Sequence, residues 1–166
     1  MKKQILVTLV LMISVFTTAF AEKSSTAFEA ASKKISISSQ VHKIVAEGNV
    51  DVVLFEDNGA AIYMFGNTRT TTVSEQDGVL TVKNSQTTGE KTLVYVPVSE
   101  VSEIEAKGHA KVSSAGPLIS GELTVYVNGD CNIDLKVTGK INLVEGESTE
   151  MVIERLRSKK ASIARL

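Results

Sequence analysis

Gly108-His109-Ala110-Lys111-Val112 returns 21 residues later as Gly129-Asp130-Cys131-Asn132-Ile133. Between and after these, Gly121-Glu122-Leu123-Thr124-Val125 returns after 18 residues as Gly139-Lys140-Ile141-Asn142-Leu143. The two classes alternate along the chain, as two faces of a repeating coil would. Gly146-Glu147-Ser148 opens a third turn, a few residues early. Periods of roughly 20 residues belong to β-solenoids, whose rungs bury their apolar face only by stacking on one another. Rungs about 4.8 Å apart would align Ala110, Cys131 and Ser148 in one interior column of small side chains. Cys131 shares strand parity with Val127, Ile133 and Leu135. Its thiol is therefore expected inside, packed as a small hydrophobe and unreactive.

Outward from this repeat, the chain from Ile35 onward alternates with period two and is rich in Val, Ile and Thr. The clearest runs cover 50–55, 62–65, 79–83, 93–98, 123–127 and 133–137. Asn58-Gly59 and Asp77-Gly78 sit between such runs and readily take positive φ, which predicts hairpins in the N-terminal half. Beyond the first segment, no window keeps a helical stripe. The chain reads as all-β: one β-solenoid-like domain over 35–153, with an antiparallel β-sandwich as the alternative.

The first 21 residues read as a targeting device. Lys2 and Lys3 precede an apolar run over 5–16, too short for the roughly 20 residues that a membrane span needs. Ala19-Phe20-Ala21 supplies the small-x-small pattern of a signal peptidase site, so cleavage is expected after Ala21. With no cysteine near that site, lipid attachment there is excluded. Residues 22–34 form a polar leader, and 154–166 a basic tail or last strand that includes Arg155, Arg157, Lys159, Lys160 and Arg165. Removing Lys2 and Lys3 takes the formal charge from −1 to −3, which argues against a nucleic-acid partner. Cys131 is the only cysteine, so no internal disulfide can form.

The repeat and what precedes it resemble the head GIN domain family, described as putative auto-transporter adhesins of the Bacteroidetes envelope and as a domain of unknown function. Gly48-Asn49-Val50-Asp51-Val52-Val53-Leu54-Phe55 with Ala61-Ile62-Tyr63-Met64-Phe65-Gly66 is similar to the family's opening pair of strands. Gly78-Val79-Leu80-Thr81-Val82 resembles its Gly-x-Leu-x-Val strand, and Thr92-Leu93-Val94-Tyr95-Val96-Pro97 its middle. The resemblance runs from Val41 to about Glu147. It implies a right-handed parallel β-helix, and it supplies no catalytic residues.

Chemical motifs are sparse. Asp130-x-Asn132-x-Asp134 looks like the start of a calcium loop, but its sixth position is Leu135 where a turn glycine is required. His109 stands between Lys107 and Lys111, and His42 is the only other histidine, too few for a multi-histidine metal site. Hydrolase, zinc-protease and phosphate-loop signatures are missing. A solenoid-type polysaccharide-cleaving enzyme would need converging carboxylates, for which Asp130 with Glu147 or Glu105 are the candidates; this is the weakest reading. Val53, Phe55, Tyr63 and Phe65 make the strands at 50–55 and 62–65 apolar on both parities, which predicts cover on both faces.

The expectation is an exported, non-catalytic protein without a cofactor, periplasmic, surface-associated or secreted. Its role would be that of an adhesin or binding module for a glycan or an envelope protein. The expected contacts are outward-parity residues: Lys107, His109, Lys111, Asp130, Asn132 and Asp134. The alternative is an assembly component, a homo-oligomer joined through an uncapped last rung whose open edge invites pairing.

Overall fold

Alternation of apolar and polar residues sends every second side chain to the same side of a strand. In the computed structural model, which describes residues 33–38, 40–145 and 149–156, that alternation generates twelve strands and, among these residues, no helix. They are β1 (Lys33–Ser36), β2 (Lys43–Glu47), β3 (Val50–Glu56), β4 (Ala61–Phe65), β5 (Thr71–Gln76) and β6 (Val79–Asn84). There follow β7 (Thr92–Val98), β8 (Glu103–Lys107), β9 (Lys111–Ser114), β10 (Leu118–Asn128), β11 (Cys131–Glu145) and β12 (Thr149–Leu156). In β3, Val50, Val52 and Leu54 are fully buried while Asp51, Val53 and Phe55 are half-buried.

The strands form one mixed sheet in the order β1-β4-β7-β3-β9-β11-β10-β8-β2-β6-β5, with β12 on β11. Its middle is parallel. One row of aligned apolar residues runs Leu80, Ile44, Ile104, Val125 and Leu143 across β6, β2, β8, β10 and the second half of β11. The other runs Val94, Val52, Val112 and Ile133 across β7, β3, β9 and the first half of β11. Each fully buried Val, Leu or Ile contributes about 1.5–3 kcal/mol relative to leaving it exposed, so these rows are the main cohesive element. The two offsets of the sequence repeat are the registers observed: Ile133 lies beside Val112, and Leu143 beside Val125.

Turns at Gly48, Gly108 and Gly129 join the two rows and stack on one another, with φ of 83°, 74° and 110°. The Gly48 N–H donates to Lys107 O (3.1 Å) and the Gly108 N–H to Asn128 O (2.9 Å). A Cβ on Gly129 would stand 2.9 Å from Gly108 O, so only glycine lets the turns approach this closely.

Three expectations need correction. A purely parallel β-helix is not observed, because β5 pairs antiparallel with β6, β4 with β7, and β1 with β4. Asp77-Gly78 does close the β5–β6 hairpin, Asp77 and Gly78 both at positive φ. Asn58-Gly59 closes none, since β7 lies between β3 and β4. The parallel partner that β7 offers β3 along seven residues outcompetes a local reversal. Finally, Cys131 aligns with Thr149, and Ser148 lies outside the described residues.

Candidate functional site

Around the glycine turns, the six expected contact residues fall into three groups. His109 and Asp130 are exposed in successive turns, and His109 Nδ1 lies 3.6 Å from Asp130 Oδ2. A carboxylate thus does stand beside His109, supplied by the next rung rather than by its own strand. Lys111 and Asn132 share a register row with Asp51, and Asp134 shares one with Ser113 and Val53. Lys107 lies on the other row of strands, aligned with Asn128 and Glu47. The structure therefore spreads the six around one corner instead of gathering them at a point.

On the outward side of β6, β2, β8 and β10, charges answer one another across rungs and, at Lys107 and Glu105, along one strand. Lys43 binds Glu103 directly opposite and Glu105 diagonally (3.0 Å), Lys107 binds Glu105 (2.7 Å), and Lys83 binds Glu47 (2.7 Å). The Glu103 and Glu105 carboxylates raise the Lys43 pKa, and Lys107, then Lys43, hold Glu105 below the ordinary carboxylate value. Lys140 and Asn142 both reach Glu122 Oε1 (2.8 and 2.6 Å) and lower its pKa in the same way. Tyr126 stands in the next row, between Glu105 and Val144, its ring 5.9 Å from the Lys43 ammonium.

Beside this face a groove of about 410 Å³ is lined by His42, Val101, Ile119 and Glu122, among others. It opens where β10 bulges between Ile119 and Glu122, leaving the β10–β11 register interrupted. Gly139 faces that bulge so closely that a Cβ would collide with Ser120 O. Neither groove nor ion network was legible in the sequence, because both arise from residues brought together across rungs. Tyr126 does carry a signal in the sequence, an aromatic at outward parity within the alternating run 123–127.

The cover expected on both faces of β3 and β4 is complete on the inner face and only partial on the outer one. Ile62 and Met64 are fully buried inside, and Val53, Phe55, Tyr63 and Phe65 are half-buried outside. Phe65 meets Tyr95 edge to face at 5.7 Å, and Lys34 lies 5.6 Å from the Tyr63 ring centre. Cys131 is buried, its thiol contacts Gly108 O at 3.5 Å, and burial raises its pKa. Among the described residues, no three His, Cys, Asp or Glu side chains are grouped to hold a metal ion. Nor is any helix among them long and apolar enough to cross a membrane.

A family model described as "Putative auto-transporter adhesin, head GIN domain" matches residues 33–154, nearly the whole span of described strands. Among solved structures, the chain is similar to a putative adhesin from Parabacteroides merdae ATCC 43184. The identity is 25% and the TM-score 0.49, over 68% of this chain and 54% of that one. It is also similar to a putative adhesin from Parabacteroides distasonis ATCC 8503, at 16% identity and a TM-score of 0.47, over 76% and 66% of the two chains. The chain spans about half the length of the first of these and about two thirds of the second. No curated protein matches it. The chain belongs to the family described as the putative auto-transporter adhesin, head GIN domain.

Proposed function

We propose that the protein is an exported, non-catalytic adhesin-type binding module whose outward rung faces contact a glycan or an envelope protein. The observation that carries this reading is the in-register stacking of outward polar side chains across β2, β8, β10 and β11. Such stacking presents a regular, extended surface in a member of an adhesin-like family. Its parallel half supports a solenoid description, and export would follow cleavage after Ala21, read by N-terminal sequencing of the secreted protein. Lys107, His109, Lys111, Asp130, Asn132 and Asp134 form the corner of the contact surface. Because their charges are mixed, binding there should weaken only modestly as salt rises. A loss of several orders of magnitude would refute that assignment and point to the basic tail.

A second reading, self-assembly, is favoured by one feature: Leu143 and Val144 are 41% and 48% exposed on β11, the last strand of the apolar row among the described residues. Light scattering across a concentration series, with a glycan array on the mature protein, separates the two. A monomer that retains specific glycans supports the binding module. Growth with concentration and no glycan signal supports assembly. Turnover of a bound glycan, lost on Asp130→Ala, would refute both.

A further inference from the structure

Tyr126 is 37% exposed, the one Phe or Tyr side chain among the described residues that stands so far into solvent. Strand parity places it in line with Glu122, Thr124 and Asn128 on the outward side of β10. Register adds Asn142 beside Thr124, Val144 beside Tyr126, and Glu103 and Glu105 on the opposite flank. The result is an aromatic ring on a parallel stretch of sheet, bordered by hydroxyl, amide and carboxylate groups.

The charges in this neighbourhood are already matched. Lys43 is held by Glu103 and Glu105, Lys107 by Glu105, and Lys140 by Glu122. A charged ligand would have to break one of these pairs, whereas a neutral one meets a face with no net pull. Lys43, pinned by its two carboxylates, also steadies the tyrosine ring. What remains available is one apolar ring and several hydrogen-bonding groups of both polarities. A pyranose has that same pairing, with a C–H face for the ring and equatorial hydroxyls for amides and carboxylates.

We infer that the strip Glu122–Thr124–Tyr126, with Asn142 beside it, binds a neutral oligosaccharide. The Tyr126 ring stacks on one sugar, and its neighbours' hydroxyls go to the Thr124 hydroxyl, Asn142 Oδ1 and Glu122 Oε2, since Asn142 Nδ2 and Lys140 already hold Glu122 Oε1. At about 3.3 Å per residue the strip is roughly 13 Å long, more than one sugar ring. At its foot Glu122 also lines the groove of about 410 Å³, where exposed Ile119 offers a second apolar ledge. This inference rests on the binding-module reading and names the ligand class and the residues.

The test uses the mature protein on an array of neutral and anionic oligosaccharides, followed by calorimetric titration of the best neutral hit. Tyr126→Ala should weaken that hit about tenfold or more, as loss of a central aromatic anchor does. Tyr126→Phe, which keeps the ring, should stay within about threefold. Asn142→Ala should weaken binding as well, and thermal melts should show all three variants folded, since the side chains point outward. Undiminished binding by Tyr126→Ala overturns the site. Preference for anionic sugars with steep salt dependence overturns the neutral assignment. Capture of envelope proteins with no neutral glycan bound overturns this inference and leaves the adhesin reading standing. Capture of neither removes both.

Discussion

Gly129 sits at a φ of 110° with its α-carbon against the Gly108 backbone, so its hydrogen is the only substituent that fits. Gly129→Ala adds a methyl 2.9 Å from Gly108 O and forces a residue with a Cβ into a sparsely populated region. Urea denaturation should show a loss of about 1–3 kcal/mol. Gly121→Ala, where a Cβ meets nothing within 4 Å, should stay within about 0.5 kcal/mol. An equal effect at both positions would refute the close-stacking account. The same turns protect Cys131: burial disfavours the thiolate, which is the reactive form. A thiol reagent should label Cys131 only after denaturation, and rapid labelling of native protein would contradict its placement. Its inward parity was readable from the sequence. The next residue in its column is Thr149 rather than Ser148, because Thr149, Met151 and Ile153 share one parity, and counting from Gly146 as the equivalent of Gly129 puts Ser148 on the other.

At the level of strands, the apolar rows and the outward ion pairs respond to different variables. Ile104 is fully buried between rungs, whereas Leu143, at the end of the same row among the described residues, is 41% exposed. Ile104→Ala should cost about 2–5 kcal/mol, and Leu143→Ala distinctly less. Similar losses would mean that the row continues past β11. The Glu105 pairs depend on pH instead. The folded-state pKa is lowered, so this stabilisation is complete above the ordinary carboxylate value of about 4.3. It is lost as pH falls through the lower folded value. The Lys43 pKa is raised, so that contribution is present below about 10.4 and fades as pH rises through the higher folded value. The melting temperature of Glu105→Gln should therefore fall below that of wild type at neutral pH and converge with it in acid. The gap should correspond to about 1 kcal/mol or less, as is usual for solvent-accessible pairs. A gap that persists unchanged into acid would show that Glu105 acts through packing.

Over the whole molecule, the sequence by itself determined the all-β class, the inward and outward parities, and the pairing of the C-terminal repeat. These follow from alternation and from two offsets, both properties of neighbouring stretches. The six strongest runs all became strands, and the family resemblance rested on their pattern. Only the tertiary structure decided that β6 and β7 stack beneath β2 and β3, ahead of their place in the chain. Many strands here share the same Val-rich alternation, so local pattern scores several pairings equally. The choice among them is made by which arrangement closes the two apolar rows and covers the open end with antiparallel β5, β4 and β1. The same holds for the candidate site. Tyr126, Thr124 and Asn142 are ordinary residues of outward parity in the sequence. They become a surface only because β10 takes β8 on one side and β11 on the other, which sets groups 18 and 21 residues apart at strand spacing.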